Sequence, residues 1–166
     1  MNTTEVIRKA SIAEEDTIYS LYSKVKEKGR KDGTSDWDED YPNSEILHED
    51  LVNDRVFVLV IDNKIISSIS IYENEIEEVQ VLDWTKVKAC FLVRLCVSPD
   101  YQGKRIGEKM MKNISEYARQ KGFKATQHLA AEVNIAANRL YKRMGYRNVG
   151  KINLYETEFN AYEMLL

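Results

Sequence analysis

Val97-Ser98-Pro99-Asp100-Tyr101-Gln102-Gly103-Lys104-Arg105-Ile106-Gly107 is the stretch from which the fold can be read. The residues before it, Cys90-Phe91-Leu92-Val93-Arg94-Leu95-Cys96-Val97, are apolar on both faces except at Arg94, as suits a central strand covered on both sides. Pro99 to Gly103 breaks that strand, and a helix starts near Arg105. The first N–H groups of a helix have no partner within it, and the helix dipole is positive at that end. A pyrophosphate can accept those hydrogen bonds, glycine lets the backbone approach it closely, and Lys104 and Arg105 add positive charge. By itself the segment is equally an ordinary strand-to-helix turn with a solvated basic edge. Neither G-x-G-x-x-G nor G-x-x-x-x-G-K-[ST] occurs in the chain, so the other nucleotide fingerprints do not fit.

Working outward, the pattern predicts helix from Arg105 to Lys121, with Ile106, Met110, Ile114, Tyr117 and Ala118 on one face and Gly122 as its cap. Phe123 to Ala131 reads as a strand and Asn134 to Met144 as a helix ended by Gly145. Two strand-like pieces, around Val149–Ile152 and Phe159–Leu165, close the chain. Upstream, Val6–Ala10 can form a first strand, and Ser11 with Glu14 makes a capping box. The helix it starts carries Ile18, Leu21, Tyr22 and Val25 as its stripe, with a stop expected at Gly29. Residues 30–43 read as an acidic loop, and Ser44–Val52 as a short helix with Ile46, Leu47 and Leu51 inward. Arg55–Ile61 and Lys64–Tyr72 pair as a hairpin around Asp62-Asn63, and a polar connection through Trp84 leads back to Lys88. The order β-α-α-β-β-β-α-β-α-β-β predicts one mixed α/β domain over 1–166, with helices on both faces of one sheet.

A chain of 166 residues can bury roughly 70% of its unfolded surface without a disulfide or metal. Its 24 Lys and Arg against 27 Asp and Glu leave a net charge of -3, so nucleic acid is not the expected partner. No apolar run approaches the ~20 residues that span a bilayer, and Met1–Glu5 has no signal pattern, so a cytoplasmic location is expected. Cys90 and Cys96 are six residues apart and are expected to lie in one strand. That places them about 20 Å apart, far beyond the ~7 Å a disulfide allows, and no Cys/His group has zinc spacing. No metal is expected.

A second stretch bears on function: Leu129-Ala130-Ala131-Glu132-Val133-Asn134-Ile135-Ala136-Ala137-Asn138-Arg139-Leu140-Tyr141-Lys142-Arg143-Met144-Gly145-Tyr146. Asn134 and Tyr141 share one helix face about 10 Å apart, and Ala137 between them leaves a shallow groove. An elongated ligand arm could lie there, against an amide at Asn134 and a phenol at Tyr141. Taken singly, the two residues are an N-cap and a core tyrosine.

Together the two stretches resemble the GNAT superfamily of N-acetyltransferases. Residues 97–107 look like that family's acyl-CoA pyrophosphate loop, [R/Q]-x-x-G-x-[G/A], with Gln102 and Gly107 matching its ends and Arg105 standing where the middle glycine is usual. Asn134-x-x-Ala137-x-x-x-Tyr141-x-x-x-Gly145-Tyr146 looks like its second signature. The resemblance implies a GNAT fold, a mixed and mostly antiparallel sheet with acetyl-CoA as co-substrate in its central cleft. It implies that the strand splays at Leu95-Cys96-Val97 to pair with the pantetheine arm, and that a backbone N–H near Leu95 steadies the oxyanion. Gln102, Gly103, Lys104, Arg105, Ile106 and Gly107 would hold the pyrophosphate. Asn134 and Ala137 would flank the arm, and Tyr141 would protonate the leaving thiolate. Room is left for a homodimer.

The acceptor side is expected at Trp37-Asp38-Glu39-Asp40-Tyr41-Pro42, which resembles a bacterial GNAT subgroup with a W-x-x-x-Y-P segment. Trp37 and Tyr41 could pack on a small cationic amine, or simply fill the edge of the domain. Arg94, charged within an apolar strand, needs a partner: an acceptor carboxylate or a buried acid. An amine arrives protonated and must lose a proton before it attacks. Glu132, Glu73, Asp83 and His128 are candidate bases, each more readily read as a solvated surface group. Transfer to protein N-termini or lysines, and a non-catalytic acyl-CoA sensor, are the competing readings.

Overall fold

The computed structural model describes residues 3–166; Met1 and Asn2, part of the N-terminal segment read above, lie outside it. The strands are β1 (Glu5–Lys9), β2 (Val56–Ile61), β3 (Lys64–Tyr72), β4 (Ala89–Val97), β5 (Ala125–Ala131), β6 (Arg147–Leu154) and β7 (Thr157–Leu165). The helices are α1 (Glu15–Asp32), α2 (Ser44–Val52), α3 (Ile106–Gln120) and α4 (Ile135–Arg143). The seven strands form one sheet in the order β1-β2-β3-β4-β5-β7-β6. Only β4 and β5 run parallel; every other pair is antiparallel.

Strand alternation sorts the core into two layers. Val56, Val58 and Val60 of β2 face Ile18, Leu21 and Tyr22 of α1 and Leu47 and Leu51 of α2. Phe57 and Leu59 face the other way, with Met110, Met111 and Ile114 of α3 and Tyr141 of α4. Helices therefore cover both faces, because period-2 strands present an apolar side to each.

β4 breaks its own alternation. Ser68 pairs with Cys96 and Ser70 with Val93, so Arg94 and Leu95 together stand opposite Ile69. This is a bulge, and Arg94 takes its left-handed conformation, with φ of 58°. The extra residue inverts the faces of the strand. Cys90 and Leu92 pack on the α3 side, and so do Leu95 and Val97, whereas Cys96 joins the α1–α2 layer.

The α1 stop differs from expectation. The helix runs past Gly29 to Asp32, and Gly33 caps it in the left-handed conformation with φ of 64°. Gly29 is instead a packing glycine, since a Cβ there would lie 2.5 Å from Cβ of Ser35. The expected turn at Ser11 is present, with the Ser11 N–H donating to the Glu14 carboxylate at 2.9 Å. Both cysteines are free and buried, and burial pushes each thiol up to about 12. Among the described residues no helix is long and apolar enough to cross a membrane, and no cluster of metal-ligating side chains occurs.

Candidate active site

The parallel pairing of β4 with β5 ends at Leu92 opposite His128. Beyond that point β4 stays with β3 through Cys96 and Val97, while Leu129–Ala131 stay with β7. The two strands part, and a cavity of about 1090 Å³ opens between them. Leu95, Cys96 and Val97 line one side and Leu129, Ala130 and Ala131 the other.

The turn after β4 forms the lip of this cavity through Gln102, Gly103, Arg105, Ile106 and Gly107. Its amides answer the main question of fit. Among the described residues the N–H groups of residues 103–108 donate to no protein acceptor; the first bonded amide is that of Lys109, on the Arg105 carbonyl at 3.1 Å. Six unengaged donors at a helix start are what a pyrophosphate needs. Arg105 has φ of 60°, which explains why glycine is usual at that position. Its side chain points outward and pairs loosely with Glu108 at 3.5 Å. A Cβ at Gly107 would meet the Leu140 side chain at 3.3 Å, so this glycine lets α3 start close against α4. The Gln102 side chain donates to the Val97 carbonyl at 3.2 Å, tying the turn to β4. Lys104 is exposed and does not line the cavity; its ammonium lies over the Tyr101 ring at 5.1 Å.

α4 brings Asn134, Ala137 and Tyr141 to the same cavity. The Asn134 carbonyl oxygen accepts from the Ala137 N–H at 3.1 Å, so the asparagine caps the helix. Tyr141 is buried at 5% exposure, and burial raises its phenol above the ordinary value, with Tyr146 and Tyr162 adding to the rise. It is a protonated hydroxyl at every working pH. Asn138, which sequence reasoning passed over, anchors this helix: it donates to the Ala131 and Asn134 carbonyls and accepts from Asn160 and from Tyr162 at 2.6 Å.

Of the candidate bases, His128 is a correction. It is not solvated but 2% exposed, enclosed by Tyr141, Tyr146 and Tyr162 with ring centroids 4.0, 4.8 and 5.6 Å away. Among the described residues neither ring nitrogen has a partner, and burial drops its pKa to about 3, so the imidazole stays neutral. Glu132 is exposed and held by Lys151 at 2.9 Å; Glu73 and Asp83 are exposed and outside the cavity lining.

At the far end, Trp37 and Tyr41 line the cavity. Trp37 packs edge-on against Tyr22 with centroids 5.4 Å apart. Asp36 and Asp38 line the same wall, and burial raises the Asp36 carboxyl. Arg94 is engaged by the protein: Nη2 and Nε contact Asp50 Oδ2 at 2.5 and 3.2 Å, and Nη1 donates to the Tyr41 hydroxyl at 3.2 Å. Asp50 is the buried acid that pairs with it. Asp50 was legible in principle, since it falls three residues after Leu47 on the inward face of α2.

Residues 16–146 match the family model described as Acetyltransferase (GNAT) family. The chain belongs to the GNAT acetyltransferase family. This GNAT protein is 39% identical over 56 residues to "Probable N-acetyltransferase camello" of Xenopus tropicalis, a match covering 34% of this chain and 26% of that protein. The matched segment thus spans about a quarter of the length of such relatives. An acetyltransferase of the GNAT family from Streptococcus agalactiae superposes with a TM-score of 0.87 at 20% identity, covering 98% of this chain and 95% of that one. A PaiA N-acetyltransferase from Thermoplasma acidophilum, solved in complex with coenzyme A, gives 0.71 at 18% identity, with 98% and 99% covered. At these identities the structural likeness carries the fold alone.

Proposed function

We propose that this GNAT protein, as a single N-acetyltransferase domain over 1–166, transfers the acetyl group of acetyl-CoA to a primary amine by direct attack in a ternary complex. The observation that carries the reading is the set of six unengaged amides, residues 103–108, at the lip of the cleft where β4 leaves β5. When bound, acetyl-CoA supplies an activated acyl group with a thiolate as leaving group. Residues 103–108 bind its diphosphate, and Leu95–Val97 and Ala137 flank its arm. The N–H of Leu95 stabilises the oxyanion, a contribution of about 3 kcal/mol for one such donor. The amine nitrogen forms the new bond to the acyl carbon, the carbon–sulfur pair returns to sulfur, and the Tyr141 hydroxyl gives that sulfur its proton. The proton shed by the amine leaves through water or a carboxylate. Two substrates held side by side need no nucleophilic residue.

The acceptor is a small cationic amine. Trp37, Tyr41 and Tyr72 offer aromatic faces at the acceptor end, and Asp36, Asp38 and Glu78 offer negative charge, while Arg94 is neutralised by Asp50. Membership of the W-x-x-x-Y-P subgroup is proposed from the sequence Trp37-Asp38-Glu39-Asp40-Tyr41-Pro42. Calorimetric titration with acetyl-CoA, followed by an amine and peptide screen that reads free thiol, tests both parts. Absence of acetyl-CoA binding overturns the reaction. Turnover of neutral or anionic amines alone overturns the acceptor class, and preference for peptides selects a protein acceptor.

A further inference from the structure

Asp50 and Arg94 form a buried ion pair, with side chains 1% and 6% exposed, directly beneath the bulge of β4. Four further groups converge there: Ser70, Tyr72, Tyr41 and Arg55. Ser70 Oγ donates to Asp50 Oδ2 at 2.8 Å and Tyr72 Oη to Asp50 Oδ1 at 2.7 Å. Arg94 reaches Asp50, the Tyr72 hydroxyl and the Tyr41 hydroxyl. Arg55 approaches Asp50 from outside at 3.5 Å. Such a network is far more elaborate than a charge placed at random in a core strand requires.

What it holds is the backbone. Arg94 has φ of 58°, a conformation that side-chain-bearing residues adopt only when the surroundings impose it. In register terms Arg94 is the inserted residue, and the inversion of β4 that follows carries Leu95 out of the ladder: Leu95 pairs with neither β3 nor β5. Without the bulge, residue 94 would face α3 like Leu92 and its guanidinium would enter the apolar layer there. With the bulge, the guanidinium lies instead against Asp50 of α2.

We propose that Asp50 and Arg94 are positioning residues that hold the left-handed backbone at residue 94 and thereby aim the Leu95 N–H into the cleft, with Tyr41 coupling the acceptor loop to the same lock. The inference rests on the oxyanion role of Leu95 in the proposed reaction. It makes Arg94 a support of the donor and removes it from the list of acceptor contacts.

Four variants test it: Arg94→Gln, Arg94→Lys, Arg94→Gly, and the paired Asp50→Asn/Arg94→Gln, which leaves no buried charge unpaired if the single variants fail to fold. Two readouts are taken, kcat with the acetyl-CoA dissociation constant, and backbone chemical shifts at residues 94 and 95. Arg94→Gln is expected to lower kcat about 10²-fold, the scale of one lost oxyanion donor, with acetyl-CoA affinity within about twofold, and to move residue 94 out of the left-handed region. Lysine keeps the charge but cannot fork between Asp50 and the two tyrosines, so it falls between. Glycine adopts the left-handed conformation without strain and is expected to exceed Arg94→Gln in kcat, an order that a purely structural role would not produce. Left-handed shifts persisting in Arg94→Gln and in the paired variant, or kcat for Arg94→Gln at the parent level, would overturn the lock. If the parent protein neither binds nor turns over acetyl-CoA, the proposed reaction falls, and the shifts alone still decide what holds the bulge.

Discussion

Tyr141 shows how burial prepares one side chain. Its phenol is held protonated by the loss of water around it, and the residue lines the cavity. A group that keeps its proton at neutral pH can still deliver it to a strongly basic thiolate within hydrogen-bond reach. Tyr141→Phe is therefore expected to lower kcat by about 10²-fold, the usual scale of a general acid, while acetyl-CoA binding measured by calorimetry is retained. Loss of binding with unchanged kcat would make Tyr141 a wall of the site and nothing more. Gly107 is decided by space in the same way. Gly107→Ala brings a Cβ to 3.3 Å from the Leu140 side chain, so Leu140 or the start of α3 must give by a few tenths of an ångström. About tenfold weaker acetyl-CoA binding, equivalent to ~1.4 kcal/mol, is expected in the same titration.

The β6–β7 hairpin is the element whose chemistry is least ordinary. Its two turn residues, Tyr155 and Glu156, have φ of 52° and 65°, where Asn-Gly would be the unstrained choice. Tyr155 is 87% exposed at the tip and lines the cavity with Leu154 and Thr157. The strain sits beside a site, as strained backbone often does. Glu156→Gly relieves one left-handed residue and is expected to stabilise the protein by ~1 kcal/mol, read as a higher melting temperature with turnover intact. An unchanged or lower melting temperature would mean that the turn is held by contacts of Glu156 itself.

At the scale of the whole molecule, the interior that makes the cleft also sets its acid stability. His128 binds a proton in the unfolded chain below about 6.5 but resists one in the native state down to about 3, because burial disfavours the charged ring. The unfolded state therefore holds more protons between those limits, and stability falls as pH drops through that window. At pH 5 the loss relative to pH 7 is about 2 kcal/mol, and His128→Phe is expected to flatten denaturation midpoints between pH 7 and pH 5. Further acid loss comes from Glu163. Burial pushes its carboxyl up, but bonds from Thr85, Arg147 and Gln127 outweigh that and hold it below the ordinary value. Its contribution disappears as pH falls below the usual carboxylate range. Ligand acts in the opposite sense: acetyl-CoA at a hundredfold excess over its dissociation constant adds about 2.7 kcal/mol, or a rise of roughly 5–10 °C in melting temperature.

Periodicity and capping, which act between residues a few positions apart, are written in the chain itself. The element order, the two-sided burial of β4, a helix start within one residue of Ile106 (read near Arg105) and the alignment of Asn134, Ala137 and Tyr141 on one face could all be read there. The Asp62-Asn63 turn was legible, but the left-handed backbone at Tyr155, Glu156 and Arg94 was not, because none of these residue types signals it. Nor was the partner of Arg94. The sequence demands an acid, and only the packing of α2 on the sheet decides that Asp50 answers, 44 residues away. His128 marks the same limit. A histidine in a strand has no stated burial until Tyr141, Tyr146 and Tyr162 close around it. The cleft itself belongs to tertiary structure, since β4 and β5 part only because β3 holds one strand and β7 the other.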